Sequence, residues 1–218
     1  MLFLNTNSLR NKIYTFFIFI PLLLISDQIL AKETKLLILG DSLSAAYGIK
    51  QEQGWVSLLQ DAWQDQGIKV INAAISGETT DGALARLPRL LEQHSPTHIF
   101  VELGGNDGLQ GHPVGKMRDN LEKIIQLSQK NAVKVILQQM QIPTNYGKRY
   151  TQMFTGSYAK LAEKYTLTML PFFLENIALD NSLMQRDGIH PNAEAQIIIA
   201  KDMQKTLGEI ILPWQNKK

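Results

Sequence analysis

The alternation of short apolar runs with longer helical segments constrains the fold of this chain more than any other feature. Five short apolar runs lack strict polar–apolar alternation, which is typical of strands buried on both faces. The runs are residues 36–39, 70–75, 98–103, 133–137 and 166–170. Because helical segments lie between them, the sequence predicts an α/β domain of three layers, α/β/α, around a five-stranded parallel sheet.

Apolar residues recur at helical spacing in four segments. The groups are Trp55, Leu58, Leu59, Ala62 and Trp63; Met117, Leu121, Ile124 and Ile125; Tyr158, Leu161 and Ala162; and Ile197, Ala200, Met203 and Leu207. We expect each group to form the buried face of a helix, with Gly67 ending the first helix and Asn192 capping the last. Residues 80–91 also have helical spacing, but Pro88 should kink or stop a helix there because proline lacks a backbone N–H.

The first 31 residues have the pattern of an export signal rather than of a folded domain. Arg10 and Lys12 precede a nearly continuous apolar run over residues 13–25. This run is shorter than the roughly 20 residues that a membrane-spanning helix needs, which favours a cleaved signal peptide over a retained anchor. We expect cleavage after the small residue Ala31, although Ile29 is larger than is usual at its position.

The rest of the chain, residues 32–218, has the length of one domain. The signal contains two basic residues and one acidic residue, so 20 basic and 19 acidic side chains remain. A balance so near neutral gives no electrostatic reason to expect binding to nucleic acid or to an anionic membrane surface. The absence of cysteine excludes disulfides, thiolate zinc sites and a cysteine nucleophile. We expect a periplasmic or secreted monomer without a stable membrane anchor.

Polar, glycine-containing segments follow three of the predicted strands directly. They are Gly40-Asp41-Ser42-Leu43-Ser44, Ser76-Gly77-Glu78 and Gly104-Gly105-Asn106-Asp107. Ligands of open parallel sheets bind at the carboxyl ends of the strands, so chemistry is expected in these segments. The hydroxyl of Ser42 is the candidate nucleophile.

A serine hydroxyl is a weak nucleophile and needs an adjacent base that a third group holds in place. Of the four histidines, only His190 has a carboxylate close by in a turn, in Asp187-Gly188-Ile189-His190-Pro191. An acid three residues earlier can fold back onto the second nitrogen of the imidazole ring. We therefore expect Ser42, Asp187 and His190 to form a catalytic triad.

Acyl transfer also creates an oxyanion, which preorganised donors must meet. The candidate donors are the backbone N–H groups of Ser42 and Gly77 and the side-chain amide of Asn106. Taken singly, Gly77 and Asn106 are ordinary turn residues, and Asp187 with His190 fits an Asp-Gly turn ahead of a helix. Their joint occurrence in four strand-end turns of one small domain favours the catalytic interpretation.

Together these segments resemble the four motif blocks of the SGNH, or GDSL, hydrolase family. The blocks, in the family's order, are Gly40-Asp41-Ser42-Leu43, Ser76-Gly77-Glu78-Thr79, Gly104-Gly105-Asn106-Asp107 and Asp187-Gly188-Ile189-His190-Pro191-Asn192. The resemblance implies a flavodoxin-like fold, the triad and oxyanion donors named above, and catalysis without a metal or cofactor. The nucleophile elbow of α/β-hydrolases is disfavoured because its second glycine is missing after Ser42.

More narrowly, the chain is similar to bacterial periplasmic acyl-CoA thioesterases and lysophospholipases, which also act as arylesterases. Residues 39–47, 82–88, 101–109 and 145–147 carry this similarity. It implies that a small-molecule acyl ester or thioester is hydrolysed through an acyl-enzyme; fatty acyl thioesters, lysophospholipids and aryl or alkyl esters are expected. Ala46 and Glu78 depart from the pattern, since glycine and aspartate are expected there.

An acyl chain needs an apolar groove near the same edge of the sheet. The candidate groove residues are Leu109, Ile142, Pro143, Tyr146 and Phe154, although Tyr146 and Phe154 fit a role in covering the core equally well.

Three other functions stay open at this point. One is a carbohydrate acetyl esterase of the same family, since the triad does not select the acyl group. Another is a metal-dependent phosphoesterase that uses Asp41, Asp107, Asp187 and His190 around a cation. The third is an exported binding module that has lost its chemistry.

Overall fold

The computed structural model describes residues 33–215, and the expected signal peptide over residues 1–31 lies outside the described residues. Its strands are β1 (Thr34–Gly40), β2 (Ile68–Asn72), β3 (His98–Glu102), β4 (Lys134–Gln138) and β5 (Thr168–Leu170). They form one sheet in the order β2-β1-β3-β4-β5, and every neighbouring pair is parallel. The predicted five-stranded parallel sheet is confirmed.

Helices cover both faces of this sheet. They are α1 (Trp55–Trp63), α2 (Thr80–His94), α3 (Gly105–Leu109), α4 (Val114–Lys130), α5 (Lys148–Tyr165) and α6 (Ala193–Gln215). Short 3-10 turns lie at Gln51–Gln53, Gln64–Gln66, Thr144–Tyr146 and Asn181–Leu183. Because α1 packs against α6, and α4 packs against α2 and α5, the sheet lies between two helical layers. Within residues 33–215, no helix combines the length and the apolarity needed to cross a bilayer.

The core forms where the apolar faces of the helices meet the central strands. Every residue of β3 is buried, and the apolar residues at positions 36–39 of β1 are fully buried. Most helix residues predicted from spacing are also buried, notably Trp55 and Trp63 in α1 and Leu121 in α4, but the prediction is wrong at Ala62, which is exposed. Burial of an apolar side chain of this size contributes about 1.5–3 kcal/mol. The packing of these faces therefore fixes which strand ends come together.

Of the two effects expected of Pro88, a kink or a stop, the stop is wrong, because α2 continues through Pro88 to His94. Ala83, Leu87 and Leu91 lie on one face of α2 and are buried. A proline in a helix interior costs about 3 kcal/mol, and the burial of these three side chains is large enough to offset that cost.

The predicted buried face of α6 is wrong at Ile197, which is 50% exposed. The buried face instead includes Gln196, whose Oε1 accepts a hydrogen bond of 2.9 Å from the backbone N–H of Trp55. A polar side chain occupies a core position because it satisfies the first N–H of α1. The cap predicted at Asn192 is confirmed, because Asn192 Oδ1 accepts the N–H groups of Glu194 and Ala195. Gly67 does not end α1, which stops at Trp63; with a φ of 66°, it ends the 3-10 turn that follows α1.

Candidate active site

The order of the strands brings the polar segments to one edge of the sheet. β1 and β3 lie side by side although β2 separates them in sequence, and ligands bind beside such a topological switch point. Gly40, the last residue of β1, is aligned with Glu102, the last residue of β3. The segments that carry Ser42 and Asn106 therefore leave the sheet next to each other.

The structure brings Ser42, His190 and Asp187 into one hydrogen-bonded chain. Ser42 Oγ lies 2.8 Å from His190 Nε2, although the two residues are 148 positions apart. On the other side of the ring, His190 Nδ1 lies 2.8 Å from Asp187 Oδ2. An ionised Asp187 accepts the Nδ1–H proton, which leaves Nε2 as the acceptor for the Ser42 hydroxyl.

The turn that carries Asp187 and His190 is held by its own backbone. Asp187 Oδ1 accepts the N–H groups of Ile189 at 2.9 Å and of His190 at 3.0 Å. Gly188 supplies the left-handed conformation that the turn requires, with a φ of 68°. The N–H of Gln185 donates to the carbonyl of His190 at 2.8 Å. The orientation of the imidazole is thus set by local contacts.

These contacts also decide the charge of Asp187. Burial alone would raise the pKa of this carboxyl, but the N–H groups of His190 and Ile189 and the imidazole outweigh it and lower the pKa to about 2. Asp187 is therefore ionised at neutral pH, as an acid that orients an imidazole must be.

The depressed pKa predicts how stability changes at low pH. A carboxyl whose pKa falls from 3.8 when unfolded to about 2 when folded stabilises the protein fully above the unfolded value. This contribution is lost as the pH falls from about 4 through about 2. We expect the free energy of unfolding of the parent protein to fall relative to that of Asp187→Asn over this window, as measured by urea titration. A constant difference between the two proteins would contradict the assignment.

Tyr47 is a neighbour of the imidazole that the sequence analysis missed. Its ring centroid lies 4.3 Å from that of His190, with an angle of 36° between the planes. The carbonyl of Tyr47 accepts a hydrogen bond of 2.8 Å from Gln185 Nε2, which ties Tyr47 to the triad turn. The aromatic ring thus covers one side of the imidazole.

The turn that carries Ser42 is held by Asp41. Asp41 Oδ1 accepts the N–H of Leu43 at 3.0 Å, and the carbonyl of Asp41 accepts the N–H of Ala45 at 3.0 Å. The turn ends at Ala46, whose φ of 57° lies in the left-handed region that favours glycine. The departure from the family pattern at Ala46 therefore costs backbone strain of about 1 kcal/mol.

The segment that carries Gly77 runs on beside the end of β1. Ala73 donates its N–H to Ile38 at 2.9 Å, and Ile75 donates its N–H to Gly40 at 3.1 Å. Gly77 follows two residues later with a φ of 79°. Within residues 33–215, no protein group accepts the backbone N–H of Gly77 or of Ser42. Both N–H groups remain available to an oxyanion.

Asn106 lies between the Ser42 and Gly77 segments. Its Nδ2 donates to Asp41 Oδ2 at 3.1 Å and to the carbonyl of Glu78 at 3.0 Å. Glu78 stands where the family pattern has aspartate, and its carboxylate is held by Arg86, whose Nε donates to Glu78 Oε2 at 2.6 Å. The amide is thus connected to both of the other segments that carry candidate donors.

A pocket of about 470 Å³ opens beside Ser42 and His190. Of the predicted groove residues, Leu109, Ile142 and Pro143 line it. The apolar lining residues that the sequence analysis missed are Leu43, Met140, Phe172, Leu174, Ala178, Met184 and Ile189. The wall that faces the nucleophile is therefore mainly apolar and is suited to a hydrocarbon chain.

Two predicted groove residues lie elsewhere. Phe154 is fully buried and packs against Tyr158 with ring centroids 5.6 Å apart, so it belongs to the core. A side chain on Gly108 would meet the Phe154 ring at 2.8 Å, which shows how closely α3 covers it. Tyr146 does not line the pocket; its hydroxyl donates to the carbonyl of Leu109 at 2.8 Å. Tyr146 supports the groove wall from outside.

The four residues of the phosphoesterase alternative are not gathered around one point. Asp107 is turned toward the start of α2, where its carboxylate accepts the N–H of Thr80 at 2.9 Å and the hydroxyl of Thr80 at 2.6 Å. In the part of the chain that the structure describes, no group of three or more acidic or histidine side chains is arranged to hold a metal ion. The geometry therefore favours serine chemistry over this alternative.

Comparison with known protein families shows to which family this chain belongs. Residues 38–196 match the model of the GDSL-like lipase/acylhydrolase family, a stretch that contains the segments of Ser42, Gly77, Asn106 and His190. The chain belongs to this family. It is a hydrolase with the SGNH fold, and the predicted family and fold are confirmed.

Named relatives of this GDSL-family hydrolase are esterases and thioesterases. An arylesterase from Vibrio mimicus is 47% identical over 175 residues, which cover 79% of this chain and 88% of that protein. The thioesterase 1/protease 1/lysophospholipase L1 of Escherichia coli strain K12 is 45% identical over 193 residues, covering 88% and 92%. None of the names favours the carbohydrate acetyl esterase alternative.

A solved structure gives the same result for the fold. The psychrotrophic esterase EstA from Pseudoalteromonas sp., in a structure inhibited by monoethylphosphonate, is 47% identical with a TM-score of 0.79. The match covers 84% of this chain and 99% of that one.

Proposed function

We propose that this hydrolase cleaves carboxylic esters and thioesters of small molecules through a covalent acyl-enzyme on Ser42. The observation that carries the proposal is the chain from Ser42 Oγ through His190 to Asp187, with both links at 2.8 Å, at the mouth of an apolar pocket. A nucleophile, a base and an orienting acid in hydrogen-bond contact are what acyl transfer to a serine needs.

In the first half of the reaction, Ser42 Oγ attacks the acyl carbon while its proton passes to His190 Nε2. The carbonyl oxygen takes up the negative charge, and the imidazolium is stabilised by the ionised Asp187. The bond from the acyl carbon to the ester oxygen or thioester sulfur then breaks, and His190 returns the proton to the leaving group. Ser42 now carries the acyl group as an ester.

In the second half, water attacks the acyl-enzyme with His190 again as the base. The water proton passes through Nε2 to Ser42 Oγ, and the carboxylic acid product leaves. In both halves, the donors of the oxyanion hole are the backbone N–H groups of Ser42 and Gly77 and the Asn106 amide. The first two donors have no acceptor within residues 33–215. The Asn106 amide, by contrast, already donates to Asp41 and to Glu78, so one of these N–H groups must also donate to the oxyanion.

The substrate class follows from the pocket and from the relatives. Leu109, Ile142 and Pro143 offer an apolar wall to an acyl chain, and a pocket of about 470 Å³ admits more than an acetyl group. The names of the relatives include arylesterase, thioesterase and lysophospholipase. We therefore propose fatty acyl thioesters, lysophospholipids and aryl or alkyl esters as substrates.

The test is steady-state kinetics against p-nitrophenyl esters of increasing acyl length and against one fatty acyl thioester. We expect turnover of both classes, with acyl chains longer than acetyl preferred, and all of it lost in Ser42→Ala. Turnover confined to acetyl esters would overturn the proposed substrate class.

Filling the groove should change the preference for acyl length. We expect Leu109→Trp to lower kcat/KM for long-chain esters by about 10- to 100-fold relative to acetyl esters, the scale at which apolar pockets discriminate by size. Met153→Trp is the matched control, because Met153 is 52% exposed on α5 and does not line the pocket. An unchanged length profile in Leu109→Trp would remove Leu109 from the groove.

We also propose that residues 1–31 are cleaved as a signal peptide and that residues 32–218 act in the periplasm or outside the cell as a monomer. The basic start and the short apolar run support export. N-terminal sequencing of the protein from the periplasmic fraction should begin at Lys32, and light scattering should give the mass of one chain. An intact Met1 on protein found in the cytoplasm, or the mass of a dimer, would contradict the corresponding part of this proposal.

A further inference from the structure

A second carboxyl group lies behind the nucleophile turn. Glu102 is the last residue of β3 and is fully buried. Its Oε2 accepts the backbone N–H of Asp41 at 3.1 Å and the hydroxyl of Ser44 at 2.8 Å. A side chain on Gly40 would approach Oε2 to 2.6 Å, so glycine at this position leaves the space that Glu102 fills. Glu102 therefore contacts Asp41, immediately before Ser42, and Ser44, two residues after it.

The carboxyls of Glu102 and Asp41 form a buried pair. Both side chains are buried, and the backbone N–H of Asp41 donates to Glu102 Oε2, so the two acids are neighbours. A hydrogen bond between two carboxyls requires a proton on one of them. Neither belongs to an ion pair with a basic residue among the ion pairs within residues 33–215. Two buried charges without a counter-ion would repel each other strongly, so the pair holds at most one negative charge.

The contacts assign that proton to Glu102. Glu102 Oε2 already accepts two hydrogen bonds, whereas no N–H or hydroxyl group of residues 33–215 donates to Oε1, which leaves Oε1 as the oxygen to carry the proton. Asp41, by contrast, accepts the N–H of Leu43 and the amide of Asn106, which stabilise its ionised form. Burial, and then the charge of Asp41, raise the pKa of Glu102 well above its ordinary value, in agreement with this assignment.

Asp41 extends this pair to the pocket. Asp41 Oδ2 accepts a hydrogen bond of 3.1 Å from Asn106 Nδ2, and both residues line the pocket beside Ser42. A side chain on Gly105 would lie 3.2 Å from Asp41 Oδ2, closer than most such contacts, so glycine lets Asp41 approach α3. A continuous chain thus runs from Glu102 through Asp41 to Asn106.

We propose that Glu102 is a positioning residue that donates a hydrogen bond as a neutral acid to Asp41, which in turn orients the Asn106 amide at the oxyanion hole. This inference rests on the proposed function, since it assigns a support for the same oxyanion hole. The proton also has an electrostatic role: with it, only one carboxylate charge opposes the charge that develops on the substrate oxygen. The other titratable groups that act on the pair are Asp107, His190 and Tyr158.

Two substitutions at position 102 distinguish a neutral hydrogen-bond donor from a side chain that only fills the same space. In Glu102→Gln, the amide N–H can donate to Asp41 while the amide oxygen accepts the bonds that Oε2 accepts now. We expect kcat close to that of the parent. In Glu102→Leu both functions are lost, and we expect kcat to fall by about 10- to 100-fold at unchanged KM, since misplaced groups in active sites cost this much.

Val101→Ala is the matched control. Val101 precedes Glu102 in β3, is fully buried and points to the opposite face of the sheet. We expect it to lower the melting temperature without lowering kcat. A loss of kcat in Val101→Ala equal to that in Glu102→Leu, or a loss in Glu102→Gln equal to that in Glu102→Leu, would overturn the proposal.

A double-mutant cycle tests whether Glu102 acts through Asn106. Asn106→Ala alone should lower kcat by about 10²–10³-fold, the usual cost of one oxyanion donor. In that background, Glu102→Leu should cost no further activity, because the amide that it positions is gone. If Glu102→Leu lowered kcat by the same factor in the parent and in Asn106→Ala, the proposed action of Glu102 through Asn106 would be overturned.

Infrared difference spectra of the folded parent and Glu102→Gln test the proton directly, even if Glu102→Leu fails to fold. At neutral pH, we expect the parent to show the C=O stretch of a buried carboxylic acid that Glu102→Gln lacks. Identical spectra in that region would overturn the neutral-acid assignment. If the proposed function itself failed, the parent would show no turnover dependent on Ser42, whereas this band would be unaffected.

Discussion

Replacing Ser42 with alanine is expected to lower kcat for p-nitrophenyl esters by on the order of 10⁶-fold, the loss that follows removal of a serine nucleophile from a triad. Ser42 Oγ is 2.8 Å from the base and lies at the pocket, so no covalent intermediate can form without it. Steady-state kinetics on the purified protein measure this effect.

Ser57→Ala is the control for this substitution. The Ser57 hydroxyl donates to the carbonyl of Gln51 at 2.8 Å on the outer side of α1, and Ser57 does not line the pocket. We expect it to retain full activity. If Ser42→Ala also kept more than a small fraction of the parent rate, the hydroxyl would not be the nucleophile.

His190→Ala is expected to cost nearly as much as Ser42→Ala, because the serine, the base and the acid act as one unit. His190 contacts both Ser42 Oγ and the Asp187 carboxylate. We further expect the double variant Ser42→Ala with His190→Ala to be no slower than either single variant.

His94→Ala serves as the histidine control, since His94 lies in the last turn of α2 and does not line the pocket. Its kcat should match that of the parent. Losses in the two single variants that multiply in the double variant would show that Ser42 and His190 act independently, contrary to the triad.

Three carboxyls near Ser42 have different environments and therefore different protonation. Asp187 accepts two backbone N–H groups and the imidazole, which keep it ionised. Glu102 is enclosed in the core, where burial favours its neutral form. Asp41 lies between these extremes: burial raises its pKa despite the N–H of Leu43, which lowers it, but the rise is smaller than that of Glu102. The contacts of each group, rather than its residue type, decide its charge.

The sheet and most helices could be predicted because the chain keeps one hydrophobic period within each element. The errors came where a tertiary contact overrides the local pattern. Pro88 remains inside α2 because that helix packs on its buried face, and Gln196 replaces Ile197 on the buried face of α6 because its amide reaches Trp55. Neither contact has a signal in the local sequence.

Ser42 could be placed beside the candidate oxyanion donors from the sequence because parallel strands place their ends at one edge, and Asp187 and His190 were found by their spacing within one turn. The same rule applied to β4 and β5 would have found Met140 and Phe172, which follow those strands and line the pocket. Glu102 could also have been noticed in the sequence, because it is a charged residue at the end of a strand whose other residues are apolar or aromatic. Tyr47 had none, because its contact with His190 exists only in the folded chain.

The most direct test of the central claim is reaction with a phosphonate that labels activated serines, followed by intact-mass and peptide mass spectrometry. Ser42 activated by His190 should take up one phosphonyl group per chain, on the peptide that contains Ser42, and His190→Ala should label far more slowly. Labelling of another residue, or equal labelling rates in the parent and His190→Ala, would contradict the account.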